Sequence, residues 1–490
     1  MWKVWRGNDL LAWLRTRARW IDRFAPVPSP LWLLPLFLLI TWDGFNLLRR
    51  GFWIDECGAY WLSQHLPSFT QPSFDFKDLG FLYTAILSLF AWGEPPFFEF
   101  VARLPSLLAV CGCTAILYSL SERVNGKGTG WIASLVYLLL PTTLEFATEA
   151  RPYAIGQFVF AATLWMLDAW FTRGKTWILA THLAGLLFLT YLHPFFALAW
   201  PLCGVFVIFA RPKFRQRYLL ASLAAALLLA PLVYMVLHLE SQVSTISYMG
   251  KPGLRMLGID LVQNRLGLAL GGALILAAVL GARPRPGGTI SIAWGVLWLA
   301  WPLALFAAAR ITGSTFYMPR YLALSAVGFA LLAAALLRWW RPAVRQAAMV
   351  LVVLLHFAPG NPARGPHYGD LRELAAWMEN PGGGATAPWI ATSLFVEGGL
   401  PDAAPAEVKL TKWAFAHLST YPVMNPVFPM PNGMAESGRA SLEAQLDGPW
   451  RTERRVLAGP VQTPPAWFLE ALSRRGYRLR RMGELLEFQR

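Results

Sequence analysis

The stretch Arg49-Arg50-Gly51-Phe52-Trp53-Ile54-Asp55-Glu56-Cys57-Gly58-Ala59-Tyr60-Trp61 follows directly on an apolar run at 31–48, which carries Asp43 near its end. A helical run of about 20 apolar residues is what a bilayer's hydrocarbon core requires. Two arginines, two adjacent carboxylates and several aromatics immediately behind it place a polar cluster at a membrane surface. The rest of the chain repeats the first half of that pattern, apolar run then polar loop.

Composition agrees. Of 490 residues, 56% are hydrophobic and only 14% charged, against roughly 25% charged in soluble domains. The net charge of +15 comes from Lys and Arg in short clusters between apolar runs. Topology signals have that form. No basic face or base-stacking module accompanies the charge, so nucleic acid is not an expected partner. Cys111, Cys113 and Cys203 lie in apolar segments and Cys57 lies in a loop. They read as small apolar fillers, with neither a disulfide framework nor a zinc spacing.

The expected fold is a polytopic α-helical membrane protein with about 11 transmembrane helices. The spans are 31–48, 104–120, 131–144, a run from Tyr153 to just before Arg173, 177–191, 195–210, 219–239, 266–280, 290–309, 321–337 and 347–356. The apolar run 79–92 is short for a span and reads as a juxtamembrane helix. One set of loops is basic: the N-terminus, Arg123/Lys127, Arg173/Lys175, Arg211–Arg217, Arg283/Arg285 and Arg338/Arg341/Arg345. The opposite set holds Asp55, Glu56, Asp75, Asp78, Glu94, Glu99, Glu145 and Glu149. Basic loops remain cytoplasmic. The N-terminus is therefore expected inside, and the Asp55–Glu56 loop outside.

Three regions follow. Residues 1–30 interleave Arg and Trp and read as a cytoplasmic amphipathic segment. Residues 31–357 form the transmembrane domain, with a first outer loop at 49–78. From 358 to 490 Pro and Gly become frequent and apolar runs shorten, which predicts a small extracytoplasmic α/β domain. Its signals are a capping box at Asp370-Leu371-Arg372-Glu373, a strand near 389–394, a helix at 467–475 and strands near 477–479 and 485–488. Gly382-Gly383-Gly384 lacks the strand-to-helix context of a phosphate cradle and reads as a linker.

Four polar constellations fall on the outer side. Asp55-Glu56 can supply a general base, or be an exposed acidic turn. Glu149-Ala150-Arg151-Pro152-Tyr153 sits at a helix mouth, where an arginine fork can grip a phosphate; the alternative is an interfacial ion pair. Tyr317-Met318-Pro319-Arg320-Tyr321 offers a second arginine, or a snorkelling charge. Tyr191-Leu192-His193-Pro194 joins two apolar runs, and a lone histidine there is more often a packing residue than a ligand. Lys251, Arg255 and Arg265 lie in the late outer loop.

In this order the residues resemble the GT-C glycosyltransferases that use polyprenyl-phosphate sugars, among them the protein O-mannosyltransferases and the lipid A aminoarabinose transferases. The resemblance rests on Trp53-Ile54-Asp55-Glu56, Arg103-Leu104-Pro105-Ser106, Asn125-Gly126-Lys127-Gly128, Glu149-Ala150-Arg151-Pro152-Tyr153, Tyr191-Leu192-His193-Pro194 and Pro319-Arg320-Tyr321. It covers roughly 31–357. It implies a bacterial inner-membrane enzyme that moves a sugar from a polyprenyl phosphate such as undecaprenyl phosphate to an acceptor glycan, lipid or protein. Transfer would occur outside the cytoplasm with inversion at the anomeric carbon. It implies Asp55 as base with Glu56 as partner or alternate. Arg151 and Arg320 would hold the donor phosphate with Lys251, Arg255 or Arg265, and Glu149, Tyr153, His193 and Tyr321 would contact substrate. No cofactor is required. A divalent metal is compatible with Asp55, Glu56 or His193, but no ligand spacing demands one. The competing classes are a polyprenyl-lipid flippase or transporter, which would show internal repeats, and an oligosaccharide polymerase or ligase, which would need a larger late outer loop than 240–265.

Overall fold

The computed structural model describes residues 48–65, 80–93, 97–234, 253–261, 295, 300–312, 317–338, 340, 342–357, 370–379, 387–392, 416–421, 423, 425–430, 436–459, 464–481 and 486–490. The amphipathic segment 1–30, nearly all of the first span, Asp75, Asp78, Glu94, Lys251, Arg265, the span 266–280 and residues 290–294 and 296–299 lie outside these residues.

The helical part begins with α1 (Ile54–Gln64) and α2 (Phe81–Ser88). Then come α3 (Phe97–Val124), α4 (Gly130–Leu139), α5 (Pro141–Ala147), α6 (Tyr153–Arg173) and α7 (Thr176–Leu192). A 3₁₀ turn, Pro194–Leu198, leads into α8 (Ala199–Ala210), followed by α9 (Arg215–Ala226), α10 (Leu254–Leu261), α11 (Trp301–Thr312), α12 (Ser325–Leu337) and α13 (Pro342–Phe357). Three helical stretches among the described residues are long and apolar enough to cross a membrane, Phe97–Val124, Tyr153–Arg173 and Pro212–Tyr234. The first has 28 residues, or about 42 Å of helix at about 1.5 Å per residue, well beyond a bilayer core of about 30 Å.

The spans expected at 104–120 and 131–144 differ from the structure in ways that matter to the site. The helix expected from 104 starts at Phe97, so that Arg103 lies inside it and not at its mouth. The span expected at 131–144 breaks at Leu140, which is extended at φ −67°, ψ 130°. Pro141 follows, and its ring disfavours the helical region for the residue before it.

The core lies where α3, α4, α6, α7 and α12 pack together, with Trp170, Tyr137, Tyr153 and Phe160 fully enclosed. It also carries polar cross-links. Tyr137 donates to Gln157 Oε1 at 2.7 Å, and Gln157 Nε2 donates to the Ala323 carbonyl at 2.9 Å. These bonds satisfy polar groups that an apolar interior would otherwise penalise. They tie α4 and α6 to the turn that opens α12. Gly156 permits a close approach: a Cβ there would stand 2.3 Å from the Phe196 ring. That contact seats the 193–196 turn on the first turns of α6.

The C-terminal part contains α14 (Leu371–Glu379), β1 (Trp389–Thr392), α15 (Ala416–Thr420), β2 (Val427–Met430), α16 (Arg439–Asp447), β3 (Arg455–Gly459), α17 (Ala466–Ser473), β4 (Arg478–Arg481) and β5 (Leu486–Gln489). The sheet order is β2-β1-β3-β5-β4. β1 pairs parallel with β2 and β3, while β5 runs antiparallel between β3 and β4. Side chains alternate across the sheet: Ile390, Val456 and Ala458 pack with Leu442, Leu446, Phe468 and Leu472 from α16 and α17. Trp389, Ala391 and Leu457 face Met378 of α14. β2 and β3 lie outside the strands expected from the sequence. β2 contains Pro429, which an edge strand tolerates because its missing N–H costs no ladder bond there. The N-terminal end of α14, at Leu371 and Ala375, packs with the core of the helical bundle.

Candidate active site

Residues 48–52 have no regular structure of their own beyond Leu48 and Arg49, yet none of their carbonyls is left over. Arg103, fully buried in α3, donates to the carbonyls of Leu48 (3.1 Å), Arg50 (2.7 Å) and Gly51 (3.3 Å). Its guanidinium lies 5.1 Å from the Phe52 ring centroid. It also forms a two-pronged pair with Glu56, Nε to Oε1 at 2.8 Å and Nη2 to Oε2 at 2.6 Å. Glu56 accepts two more bonds, from the N–H of Ala150 at 2.7 Å and of Trp53 at 3.2 Å. The Trp53 bond is the acidic half of a capping box, in which the third helical residue reaches back to the residue before the helix. Glu56 is 0% exposed, with two donors on each oxygen.

Asp55, its neighbour, is placed differently. Its Oδ2 pairs with Arg320 Nη1 and stands 3.6 Å from Arg151 Nη2. Arg151 Nη1 also donates to the Asp55 carbonyl at 3.2 Å. Arg151 comes from the segment between α5 and α6, held by Ser106 Oγ, which donates to the Glu149 carbonyl at 2.6 Å. Arg320 comes from the 3₁₀ turn Pro319–Leu322, anchored by Trp301 Nε1 donating to the Tyr321 carbonyl at 3.2 Å. Among the described residues, one carboxylate here stands against two guanidiniums. Such a site, partly shielded from water, attracts an anion.

Aromatic rings wall the cluster. The Arg151 guanidinium lies 5.6 Å from the Tyr153 ring, and that of Arg320 lies 5.7 Å from Tyr321 and 5.9 Å from Trp53. The His193 ring is 5.9 Å from Tyr153, 5.3 Å from Tyr321 and 5.2 Å from Phe196. Burial, helped by the positive charges of Arg151 and Arg320, pushes the His193 pKa down to about 3, so the imidazole is neutral at physiological pH. Burial pushes the Glu149 carboxyl well above its usual range, and Glu145 and Glu56 add to this. Buried polar atoms here with no hydrogen-bond partner among the described residues include Glu149 Oε1, Arg151 Nε and His193 Nδ1. Native structures leave few buried polar atoms unpaired, and a polar ligand would satisfy these.

The structure thus brings Asp55, Glu149, Arg151, Tyr153, His193, Arg320 and Tyr321 to one place. It sets Glu56 apart, in the interior against Arg103. Arg255 is exposed on α10, and among the described residues no hydrogen bond or ion pair joins it to this cluster; Lys251 is outside the described residues. Among the described residues no three His, Cys, Asp or Glu side chains are close enough to share a metal ion. The residue that sequence reasoning left without a role is Arg103. Its signal was its position, a charge among apolar neighbours that is costly unless paired.

Residues 80–235 match the family model described as dolichyl-phosphate-mannose-protein mannosyltransferase. That segment includes Arg103, Glu149, Arg151, Tyr153 and His193, but not Asp55 or Arg320. The fold is similar to the crystal structure of ArnT from Cupriavidus metallidurans in the apo state, with a TM-score of 0.52 and 12% identity over 96% of this chain and 98% of that one. It is equally similar to ArnT from the same organism bound to undecaprenyl phosphate, at 0.52 and 12% over 96% and 97%. No curated protein sequence matches the chain. The chain thus carries a helical membrane fold similar to that of ArnT, with a central segment that matches a mannosyltransferase family model.

Proposed function

We propose that the enzyme transfers a sugar from a polyprenyl-phosphate donor to an acceptor hydroxyl on the extracytoplasmic face of the bacterial inner membrane, with inversion at the anomeric carbon. The observation that carries this reading is Asp55 held between Arg151 and Arg320 at the mouth of the bundle. The acidic character of the outer loops supports the sidedness, with the N-terminus cytoplasmic and the C-terminal domain periplasmic. The match of 80–235 to a lipid-phosphate-sugar transferase family supports the donor class, as does a fold shared with a protein crystallised with undecaprenyl phosphate.

The steps follow from the charges. The donor phosphate carries negative charge and competes with Asp55 for the two guanidiniums. As they turn to the phosphate, the Asp55 carboxylate is freed beside the bound sugar. The acceptor oxygen attacks the anomeric carbon and its proton passes to Asp55. The bond from that carbon to the phosphate oxygen breaks, and polyprenyl phosphate leaves with its new charge matched by Arg151 and Arg320. Oriented cations at a developing charge stabilise a transition state more than they stabilise the ground state. Glu149, Tyr153, His193 and Tyr321 line the sugar. Neutral His193 acts there as a hydrogen-bonding partner and not as a proton shuttle. Glu56 serves as an anchor, since its four accepted bonds leave no oxygen for a proton.

Purified enzyme with undecaprenyl-phosphate sugars should release free undecaprenyl phosphate. Asp55→Asn should lower turnover by about 10²–10⁴-fold, the usual worth of a positioned base, with donor binding retained. Full turnover by Asp55→Asn refutes the base. Lipid carried across vesicles by the wild type without cleavage refutes the enzyme reading in favour of transport.

A further inference from the structure

The C-terminal part of the chain reaches the strip that carries the carboxylates. Asp370 Oδ2 accepts from the Gly51 N–H at 2.8 Å, while its Oδ1 accepts from the Glu373 N–H at 2.9 Å and so caps α14. The N–H of Leu371 donates to the Phe52 carbonyl at 3.2 Å. The Phe52 N–H donates to the Tyr421 hydroxyl at 2.7 Å, and that hydroxyl donates to Glu99 Oε1 at 3.0 Å. Arg372 bridges Glu99 Oε1 at 3.0 Å and the Arg49 carbonyl at 2.7 Å. A Cβ on Gly51 would lie 2.1 Å from Asp370 Oδ1 and 2.8 Å from the Arg372 nitrogen, so the approach is closed to any other residue. α15, which ends beside Tyr421, packs along α1.

Backbone N–H and C=O groups must be paired somewhere. Here the strip 48–52 divides them between Arg103 in the bundle and residues 370–372 and 421 of the C-terminal part. Neither half holds the strip alone. Phe52 is three residues from Asp55, at most about 10 Å along the chain, and α1 begins between them. A small change at Phe52 therefore re-aims the first turn of α1.

We propose that Asp370 and Tyr421 are positioning residues for the base, and that the C-terminal domain is a working part of the active site through this clasp. The proposal rests on Asp55 being the base. A 1 Å misplacement far from the chemistry can cost as much as a lost contact at it. Loss of the Phe52 bond in Tyr421→Phe should lower kcat by about tenfold, the worth of about one well-placed hydrogen bond. KM for the polyprenyl-phosphate donor should hold, because Arg151 and Arg320 are untouched. Asp370→Ala should behave alike, whereas Asp370→Asn, which keeps an acceptor for Gly51, should restore most of kcat.

The test measures these constants on the full-length enzyme together with amide hydrogen exchange. Exchange at Gly51 and Phe52 should rise in Tyr421→Phe and Asp370→Ala and stay unchanged along α6. Faster exchange at 51–52 with wild-type kcat overturns the positioning role and leaves the base reading standing. Unchanged exchange overturns the clasp itself. Wild-type turnover by Asp55→Asn removes the base reading, and the positioning role falls with it.

Discussion

Replacing Arg103 by Met keeps most of the side-chain volume and removes the charge. Glu56 would then remain 0% exposed with two neutral donors, the N–H groups of Ala150 and Trp53, instead of four bonds. The carbonyls of Leu48, Arg50 and Gly51 would lose their donor as well. Breaking a buried ion pair from one side costs about 3–5 kcal/mol, mostly from the charge left behind. The companion variant is the double replacement Arg103→Met with Glu56→Gln. It removes the stranded charge, so it should recover a large part of the loss, and two contacting residues of one network should couple by about 0.5–3 kcal/mol. The assay is thermal unfolding in detergent at constant protein and lipid, with turnover measured well below the transition. Arg103→Met should unfold at clearly lower temperature and lose turnover in proportion to folded protein. The double variant should recover both. An Arg103→Met transition indistinguishable from wild type refutes the anchor argument. A double variant that recovers stability without turnover shows instead that the Glu56 carboxylate takes part in the chemistry.

Two further outcomes follow from the charges. Arg151→Lys and Arg320→Lys keep the charge but lose the planar fork; each should weaken binding of undecaprenyl phosphate by about tenfold in a direct titration, and unchanged affinity in both would place the phosphate elsewhere. The Glu149 carboxyl is raised in the folded protein, so the folded state holds its proton more tightly than the unfolded chain does. That preference favours folding below the unfolded value of about 4.3 and is lost progressively as pH rises through the folded pKa. Glu149→Gln should therefore gain unfolding temperature relative to wild type as pH rises above the unfolded carboxyl value, and a pH-independent difference refutes the assignment.

Much of the site was legible because it lies at the ends of apolar runs. Arg151, Tyr153, His193, Arg320 and Tyr321 each mark a place where such a run begins or stops. Such boundaries on the same side of a bundle come together in space. The roles of neighbouring residues were not legible. Asp55 and Glu56 are adjacent and chemically alike. Successive residues of a helix point about 100° apart, so one carboxylate meets Arg103 in the interior and the other meets two arginines at the mouth. Only the partners distinguish them. The broken span at Leu140 was readable in principle from Pro141, and the long start of α3 was hidden by Glu99 and Arg103, charges that look like a loop until their buried partners are known.

The sequence by itself determined a polytopic helical membrane protein, because a run of apolar residues has no stable place in water and its length is set by the bilayer. It also determined which polar residues share a side, because loop charge biases insertion. Tertiary structure alone decided how those residues divide the work. The bond from Gly51 to Asp370 spans 319 positions and has no period, spacing or composition to announce it. It exists because unpaired backbone groups in a buried strip must find partners wherever the fold supplies them, and here the fold supplies them from the far end of the chain.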